Sequence, residues 1–304
     1  MADANISRDY RIYEELGYKL IGDAREMYLG DETIMGLSGV VYAFDSTTID
    51  LCLKLFPWAT FREEKAAIKV HTLLDLSGNI PSFIHISEGR INDVNSMDYL
   101  IPESGATYIF DRAYLDFKRL WHFRVHNSLF VIRIKQNICY EIITLNEAIG
   151  ENIVADEYIR LTGKMTSEGY PDLIRMVTVY DQIKNLKLMI LTNDFSRPAV
   201  MIGQLYKARW QVEIFFKWIK GNLKIKRFWG NSINAVKTQV WIALISYLLI
   251  AIVKKTRNLD ATMAEIMQVV SVMPFEKIDL SQAFTQFREN AISLDVCKQL
   301  SFLE

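Results

Sequence analysis

The chain has 304 residues, of which half are apolar and 12% are aromatic, and its formal net charge is −1. This composition excludes an intrinsically disordered chain, because it holds enough apolar side chains to build a core. The near-neutral charge excludes a generally basic nucleic-acid-binding protein, so any surface for an anionic polymer must be local.

The first 135 residues predict helices that alternate with buried strands. Residues 7–29 predict a helix, because apolar side chains recur every three or four positions until Gly36 to Gly39 break the pattern. The apolar runs VVYAF and KVHTLL predict buried strands, and DLSGN at residues 75–79 predicts a hairpin turn. Residues 93–100 and 116–126 predict short helices, and TYIF and SLFVIRIK after them predict two more strands.

The second half changes character twice. Residues 136–199 predict a mainly β insertion, with strands at IRMVTVYD and KLMILTND and a polar, irregular stretch at 141–170. From residue 197 onward the pattern is helical. The signals for helix starts and ends are a proline, a glycine and three capping residues. These signals are Pro198 at a helix start, Gly221 at a helix end, and Ser232, Asp260 and Ser281 as caps.

Neither the cysteines nor the longest apolar run predicts a special environment. Cys52, Cys139 and Cys297 lack a metal-ligand spacing, which is typical of inert thiols in a reducing cytoplasm. The apolar run at residues 240–253 is shorter than the roughly 20 residues that span a membrane. It therefore predicts a buried core helix and no membrane partner.

One helix face in YKARWQVEIFFKWIK carries polar side chains. At 100° per residue, Tyr206, Arg209, Glu213, Lys217 and Lys220 all fall on this face. The simplest interpretation is a solvated face held by ion pairs at i, i+4 spacing, such as Arg209 with Glu213. The alternative is a glutamate that binds a metal ion while the cations around it hold phosphates.

The same segment is locally basic. Between residues 207 and 227, seven lysines and arginines stand against the single acid Glu213, which gives a net charge of +6 among interleaved aromatic residues. This pattern predicts a local nucleic-acid-binding surface. Lysines placed at a helix C-terminus for its dipole would explain only residues 224–227. The basic residues are Lys207, Arg209, Lys217, Lys220, Lys224, Lys226 and Arg227.

Two acids follow apolar strand segments. Asp45 ends VVYAF and Asp111 ends TYIF, and a rigid sheet can hold such carboxylates around metal ions. An acid at a strand end is also often a turn former or a helix cap. The turn explains Asp75, and helix starts explain Asp93 and Asp116 better than catalysis does.

These motifs resemble the insertion-sequence-four family of DDE transposases. The spacing Y-(2)-R-(3)-E-(6)-K from Tyr206 to Lys220 is that family's signature, and AFDSTTIDL and DRAYLDF look like its blocks around the first and second acids. The resemblance covers about residues 1–275. It departs from the family at Ala113, where glycine is more frequent, and before Asp45, where members usually carry a helical DNA-binding region.

The resemblance implies a DNA transposase that cleaves DNA strands and transfers them. Its catalytic and metal-binding residues would be Asp45, Asp111 and Glu213, with two Mg²⁺ or Mn²⁺ ions in the site. Hard cations of this kind suit ligand sets made only of oxygen. The residues that contact transposon-end phosphates would be Tyr206, Arg209 and Lys220, and Lys217 is predicted to join them.

The fold that the resemblance implies is α/β, with an RNase H-like mixed-sheet core flanked by helices and interrupted by a β insertion before the glutamate helix. The order of predicted strands and helices leads to the same arrangement. The predicted division is an N-terminal helical segment (1–35), the first part of the core (36–135), the β insertion (136–199), the second part of the core with the glutamate helix (200–256) and a C-terminal helical segment (257–304).

The expected partners are transposon-end DNA and target DNA, bound by a homodimer in the cytoplasm and associated with the nucleoid. Two alternatives stay open. The same core would also serve a structure-specific nuclease, which cleaves without strand transfer. The short segment before Asp45 would suit a truncated, catalytically silent remnant that binds DNA only.

Overall fold

The fold is known from a computed structural model, which describes residues 8–29, 36–37, 39–62, 65–134, 138–222, 228–272, 282 and 284. Within these residues, ten strands form a single sheet with helices packed on its faces. Ser281, Cys297 and the basic residues Lys224, Lys226 and Arg227 lie outside the described residues, so the predictions that concern them have no structural counterpart.

The centre of the sheet has three antiparallel strands followed by two parallel ones. In space the order is β4, β3, β1, β5, β6, with β5 and β6 parallel to β1, and the short strand β2 also pairs with β3. This mixed sheet is the predicted RNase H-like core. The strands are β1 (Val41–Leu51), β2 (Thr60–Arg62), β3 (Lys65–Asp75), β4 (Ile80–Glu88), β5 (Thr107–Phe110) and β6 (Leu129–Arg133).

The segment predicted to be an insertion continues the same sheet. Its last strand pairs antiparallel with β6, and its first strand forms the far edge. The stretch 141–170, predicted to be irregular, contains two strands and a short helix, so that prediction is wrong. The elements are β7 (Tyr140–Asn146), β8 (Ile153–Leu161), α3 (Lys164–Gly169), β9 (Ile174–Asp181) and β10 (Leu186–Thr192).

The error has a physical cause in the polar residues of β8. Asp156 lies in the middle of this strand and is buried, which a local pattern of apolar residues does not predict. Arg175 of β9 neutralises it, with Nη2 2.7 Å from Oδ2 of Asp156, and both side chains are almost fully buried. A buried charge is tolerated only with such a partner. Here the partner comes from the neighbouring strand.

The helices cover both faces of the sheet. On one face, side chains such as Ala43 and Ile109 pack against the three helices α4, α5 and α6. On the other face, side chains such as Phe44 and Phe110 pack against α2. The helices are α1 (Arg11–Tyr28), α2 (Phe117–Val125), α4 (Ala199–Ala208), α5 (Trp210–Asn222), α6 (Ile233–Thr256) and α7 (Met263–Val272).

The apolar run of the sequence lies in α6, which forms a central part of the core. In the described part of the chain it is the one helix that is long and apolar enough to cross a membrane, and 67% of its most apolar window is buried inside the fold. Its start agrees with prediction, because the hydroxyl of Ser232 accepts a hydrogen bond from the Ala235 amide at 3.1 Å. Helix α1 packs against it so closely that Gly17 lies on the ring of Trp241.

Several other local predictions can be compared with the structure. Asp116 caps α2 as predicted, by accepting a hydrogen bond from the Arg119 amide at 3.0 Å. Helix α7 is capped by Thr262, which exchanges hydrogen bonds with Glu265, and not by Asp260. The single helix predicted for the polar face is divided at Arg209 into α4 and α5.

Candidate active site

The two strand acids lie at one gap in the sheet. Strand β1 pairs with β5 only from Val41 to Phe44, and beyond that point it pairs with β3 alone. Asp45 lies where β1 and β5 separate, and Asp111 directly follows the last residue of β5. The prediction that Asp45 ends its strand is wrong, because β1 continues to Leu51. What ends before Asp45 is the pairing with β5.

Glu213 reaches this gap from the first turn of α5, and Arg209 connects it to Asp45. The Nη1 atom of Arg209 lies 2.5 Å from Oδ2 of Asp45, and its Nη2 atom lies 2.8 Å from Oε1 of Glu213. The side chain of Arg209 is only 12% exposed. The predicted i, i+4 pair therefore forms, but in a half-buried site and with a second carboxylate on the same cation. Such charge-assisted contacts are among the stronger hydrogen bonds in proteins.

Tyr206 brings the third acid into the same cluster. Its hydroxyl donates to Oδ1 of Asp111 at 3.3 Å, and the guanidinium of Arg209 lies 5.9 Å from the centre of its ring. Burial, and then the negative charge of Asp111, raises the pKa of Tyr206, so the hydroxyl keeps its proton and acts as a donor. Tyr206, Arg209 and Glu213, which the sequence places on one face, thus converge on Asp45 and Asp111.

The surroundings of Asp45 make ionisation of its carboxylate unfavourable. Burial raises its pKa to about 6, although Arg209 and the Ser46 amide favour the charged form. The negative charges of Asp111 and Glu213 raise the pKa further. A buried acid beside other acids is a frequent feature of functional sites, since a bound cation can offset the cost of ionisation.

The three carboxylates fit a divalent cation chemically, but the Arg209 guanidinium now lies between two of them. The donors offered by Asp45, Asp111 and Glu213 are all carboxylate oxygens, which suit Mg²⁺ or Mn²⁺. Among the described residues, no three acidic, histidine or cysteine side chains stand at the mutual distances of a ready metal site. The guanidinium of Arg209 already supplies positive charge between Asp45 and Glu213. A metal ion bound to both carboxylates would have to displace it.

The two lysines of the predicted stripe lie in different surroundings. Lys220 donates from Nζ to the main-chain oxygen of Thr48 in β1 at 2.7 Å, so it holds the strand that carries Asp45. Lys217 is exposed on the outer side of α5, as are Trp210 and Ile214. The described part of the basic segment therefore offers two exposed lysines, Lys207 and Lys217, together with exposed apolar area.

A polar cluster that the sequence did not predict lies behind Asp45, on the opposite face of the sheet. Asp93 was predicted to start a helix, and a 3₁₀ helix does begin there, at Asp93–Tyr99. The carboxylate, however, accepts a hydrogen bond from the hydroxyl of Ser46 at 2.7 Å and lies 3.2 Å from Nζ of Lys69. The signal available in the sequence was a pair of polar residues, Lys69 and His71, on one face of an otherwise apolar strand.

Comparisons with known proteins agree with one another. The sequence profile of the family described as the transposase DDE domain matches residues 36–249. A protein of Sinorhizobium fredii described as a transposase is 32% identical over 286 residues, which is 92% of this chain and 78% of that protein.

Two further relatives are described as transposases of insertion sequence elements. A protein of Geobacillus stearothermophilus is 28% identical over 209 residues, which is 68% of this chain and 54% of the relative. A protein of Synechocystis is 26% identical over 289 residues, which is 90% of this chain and 77% of the relative.

Proposed function

The chain belongs to the transposase DDE domain family, and from this premise we propose that Asp45, Asp111 and Glu213 are its catalytic residues. As a member of this family it is a DNA transposase, an enzyme whose general activity is DNA strand cleavage and strand transfer. The observation that carries the proposal is the convergence of three acids, from β1, from the end of β5 and from α5, on Tyr206 and Arg209.

The same three carboxylates would hold the metal ions. Asp45 and Asp111 lie at the gap between β1 and β5, and Glu213 faces it from α5. Two Mg²⁺ or Mn²⁺ ions bound there would lower the pKa of an attacking water or hydroxyl group and stabilise the leaving oxygen of the phosphodiester.

Each polar residue of the stripe would have a separate task. The hydroxyl of Tyr206 would orient Asp111, to which it already donates. Arg209, once released from Asp45, would bind a phosphate of the transposon end through its planar guanidinium. Lys217 would bind a phosphate from the surface of α5. Lys220 would contact phosphate as well as the main chain of β1.

The substrates would be transposon-end DNA and target DNA. We propose that a homodimer assembles on two DNA ends, in the cytoplasm and associated with the nucleoid. We propose that the chain divides at residues 35, 135, 199 and 256, with the catalytic core on either side of the β insertion. The last strand of the insertion, β10, lies beside β6, which in turn pairs with β5, the strand that precedes Asp111.

The test uses the full chain, Mg²⁺, the DNA that flanks its gene as donor ends, and a target plasmid. The wild-type protein should yield nicked donor and joined products. Asp45→Ala and Glu213→Gln should yield neither while their thermal unfolding stays cooperative. The control is Glu141→Gln, which removes an exposed acid on the edge strand β7 and should leave activity unchanged.

Each other outcome would contradict the proposal in a distinct way. Full activity of either variant would mean that the catalytic acids lie elsewhere. Cleavage of donor ends without joined products would indicate a structure-specific nuclease. DNA binding without cleavage by the wild-type protein would indicate a silent remnant.

A further inference from the structure

A partly buried polar cluster lies directly behind Asp45. It consists of Ser46 in β1, Lys69 and His71 in β3, Ser87 in β4, and Asp93 at the start of the 3₁₀ helix, and we call it the Asp93 cluster. Successive side chains of a strand point to opposite faces. Asp45 therefore faces α5, whereas Ser46 faces the opposite side, where Asp93 lies.

The contacts of the cluster converge on one oxygen of Asp93. Oδ1 accepts a hydrogen bond from Oγ of Ser46 at 2.7 Å and lies 3.2 Å from Nζ of Lys69. Lys69 also donates to the main-chain oxygen of Ile91 at 2.8 Å, which holds the segment before Asp93. His71, opposite Ser46 in the β1–β3 ladder, has no exposed surface, and its Nδ1 atom lies 3.9 Å from the same oxygen.

A gain in folding stability does not explain the Asp93 cluster well. The side chain of Lys69 is only 11% exposed and that of Asp93 27% exposed, so both charges lose much of their hydration. A buried ion pair often stabilises a fold no more than apolar residues of the same volume would. His71 adds no charge at neutral pH, since burial lowers its pKa to about 4.

The position of the cluster in the sheet suggests what it does. Beyond Phe44, β1 has lost β5 as a neighbour, and within the sheet it pairs with β3 alone. Asp45 is the first residue in this region, and its Oδ1 atom accepts a hydrogen bond from the amide of Ser46 at 2.8 Å. The hydroxyl of the same Ser46 is tied to Asp93. One residue therefore connects the cluster to the carboxylate on the other face.

We propose that Asp93 is a positioning residue for Asp45: held by Lys69, it fixes Ser46, and Ser46 orients the Asp45 carboxylate for metal binding. This inference rests on the proposed function, in which Asp45 is a metal ligand. Residues that orient metal ligands affect metal affinity even though they do not touch the metal. The cluster would act in this way through the strand, from the face opposite the site.

The experiment measures Mn²⁺ binding to the full chain by calorimetry, together with the Mn²⁺ concentration that gives half-maximal DNA cleavage. Ser46→Ala and Asp93→Asn should each weaken Mn²⁺ binding about 10-fold. Half-maximal cleavage should shift by the same factor, and saturating Mn²⁺ should restore most of the cleavage rate. The double variant should be no weaker than the worse single variant, because both residues act through one contact.

Matched controls separate positioning from a general loss of structure. Asp98→Asn changes another acid of the same 3₁₀ helix, one that pairs with Arg119 at the surface. Ser82→Ala removes a hydroxyl that donates to the Leu73 main chain elsewhere in the β3–β4 pair. Both should bind Mn²⁺ like the wild-type protein, even if their melting temperatures fall.

The outcomes that would overturn the inference differ from those that would overturn the proposed function. If Asp45→Ala abolishes Mn²⁺ binding but Ser46→Ala and Asp93→Asn bind normally, Asp93 has no positioning role. The same conclusion follows if cleavage falls only in proportion to the folded fraction and excess Mn²⁺ does not restore it. If Asp45→Ala binds Mn²⁺ like the wild-type protein, the proposed metal site itself is wrong, and the role of Asp93 with it.

Discussion

Arg209 forms an ion pair with Asp45 across the gap between helix and sheet, with Nη1 2.5 Å from Oδ2, and the same guanidinium holds Glu213. Two of the three proposed metal ligands thus share an internal cation. A metal ion bound by the proposed ligands would compete with Arg209 for the same carboxylates, and a DNA phosphate that attracts Arg209 would favour the metal. Binding of DNA and binding of metal should therefore strengthen each other by the same factor.

Replacement of Arg209 tests this competition. Without DNA, Arg209→Gln should bind Mn²⁺ more tightly, on the order of tenfold, which corresponds to ~1.4 kcal/mol. Transposon-end DNA should bind more weakly, and the slope of log affinity against log salt should fall by about one. Calorimetry and salt titrations measure both effects. Arg257→Gln, at the C-terminal end of α6, is the control. Weaker Mn²⁺ binding by Arg209→Gln would contradict the competition.

The raised pKa of Asp45 predicts how stability depends on pH. Since the folded protein binds this proton more tightly than the unfolded chain does, the contribution of Asp45 is most favourable below pH 4 and is lost as the pH rises to about 6. Urea unfolding between pH 4 and 7 should therefore show a smaller loss of stability with rising pH in Asp45→Asn than in the wild-type protein. Equal slopes for the two proteins would contradict the raised pKa.

Removal of the Tyr206 hydroxyl tests the third acid. Tyr206→Phe takes away the donor to Asp111 and should lower the cleavage rate by about tenfold, while the free energy of unfolding falls by only ~1 kcal/mol. Single-turnover cleavage and urea unfolding measure the two effects. Tyr180→Phe is the matched control, because its hydroxyl contacts Asn185 at the surface of the insertion. An unchanged cleavage rate in Tyr206→Phe would mean that the Tyr206 hydroxyl does not orient Asp111 for catalysis.

The two lysines of α5 should differ in their effects. Lys220→Met loses the bond to the Thr48 main chain and should lower the free energy of unfolding by about 1.5–3 kcal/mol, the range for hydrogen bonds to charged groups. Lys217→Met should leave stability unchanged and reduce the salt slope of DNA binding by about one. Denaturant unfolding and salt titrations on both variants separate the two roles. Equal stability losses would mean that the lysines play the same part.

Two glycines of α1 provide a test of the fold itself. A Cβ atom on Gly17 would lie 2.6 Å from the Trp241 ring, whereas one on Gly22 would meet nothing within 4 Å. Gly17→Ala should destabilise the protein by about 1–3 kcal/mol through overpacking. Gly22→Ala should stabilise it by roughly 0.5–1 kcal/mol, because alanine favours the helix. Urea unfolding measures both values, and effects of the same sign would contradict the packing of α1 on α6.

The features predicted from sequence are those with local causes. The turn after Asp75 forms because its side chain accepts from the Ser77 amide and Asn79 adopts a positive φ. Asp116 and Ser232 cap their helices through residues three positions away. Runs of apolar residues predicted the strands of the core and the buried helix α6, because an element that is buried on all sides has an unbroken run of apolar side chains.

The features that were missed depend on contacts between distant segments. Strand β1 continues past Asp45 because β3 still pairs with it after the pairing with β5 has ended. The residues around Asp45 in the sequence carry no sign of this pairing. The bond of Lys220 to Thr48 joins residues far apart in the chain. The role of Asp93 depends on Ser46 across the sheet face, while its immediate neighbours indicate only a helix start.

The pairing of β10 with β6 has a practical consequence for attempts to shorten this enzyme. Removal of the insertion would leave β6 as an edge strand, and the amide and carbonyl groups that now pair with β10 could then pair with other chains. Exposed edge strands of this kind promote aggregation. A shortened transposase would therefore need a proline or lysine on β6 to block edge-to-edge pairing. Without it, a loss of activity could not be separated from aggregation.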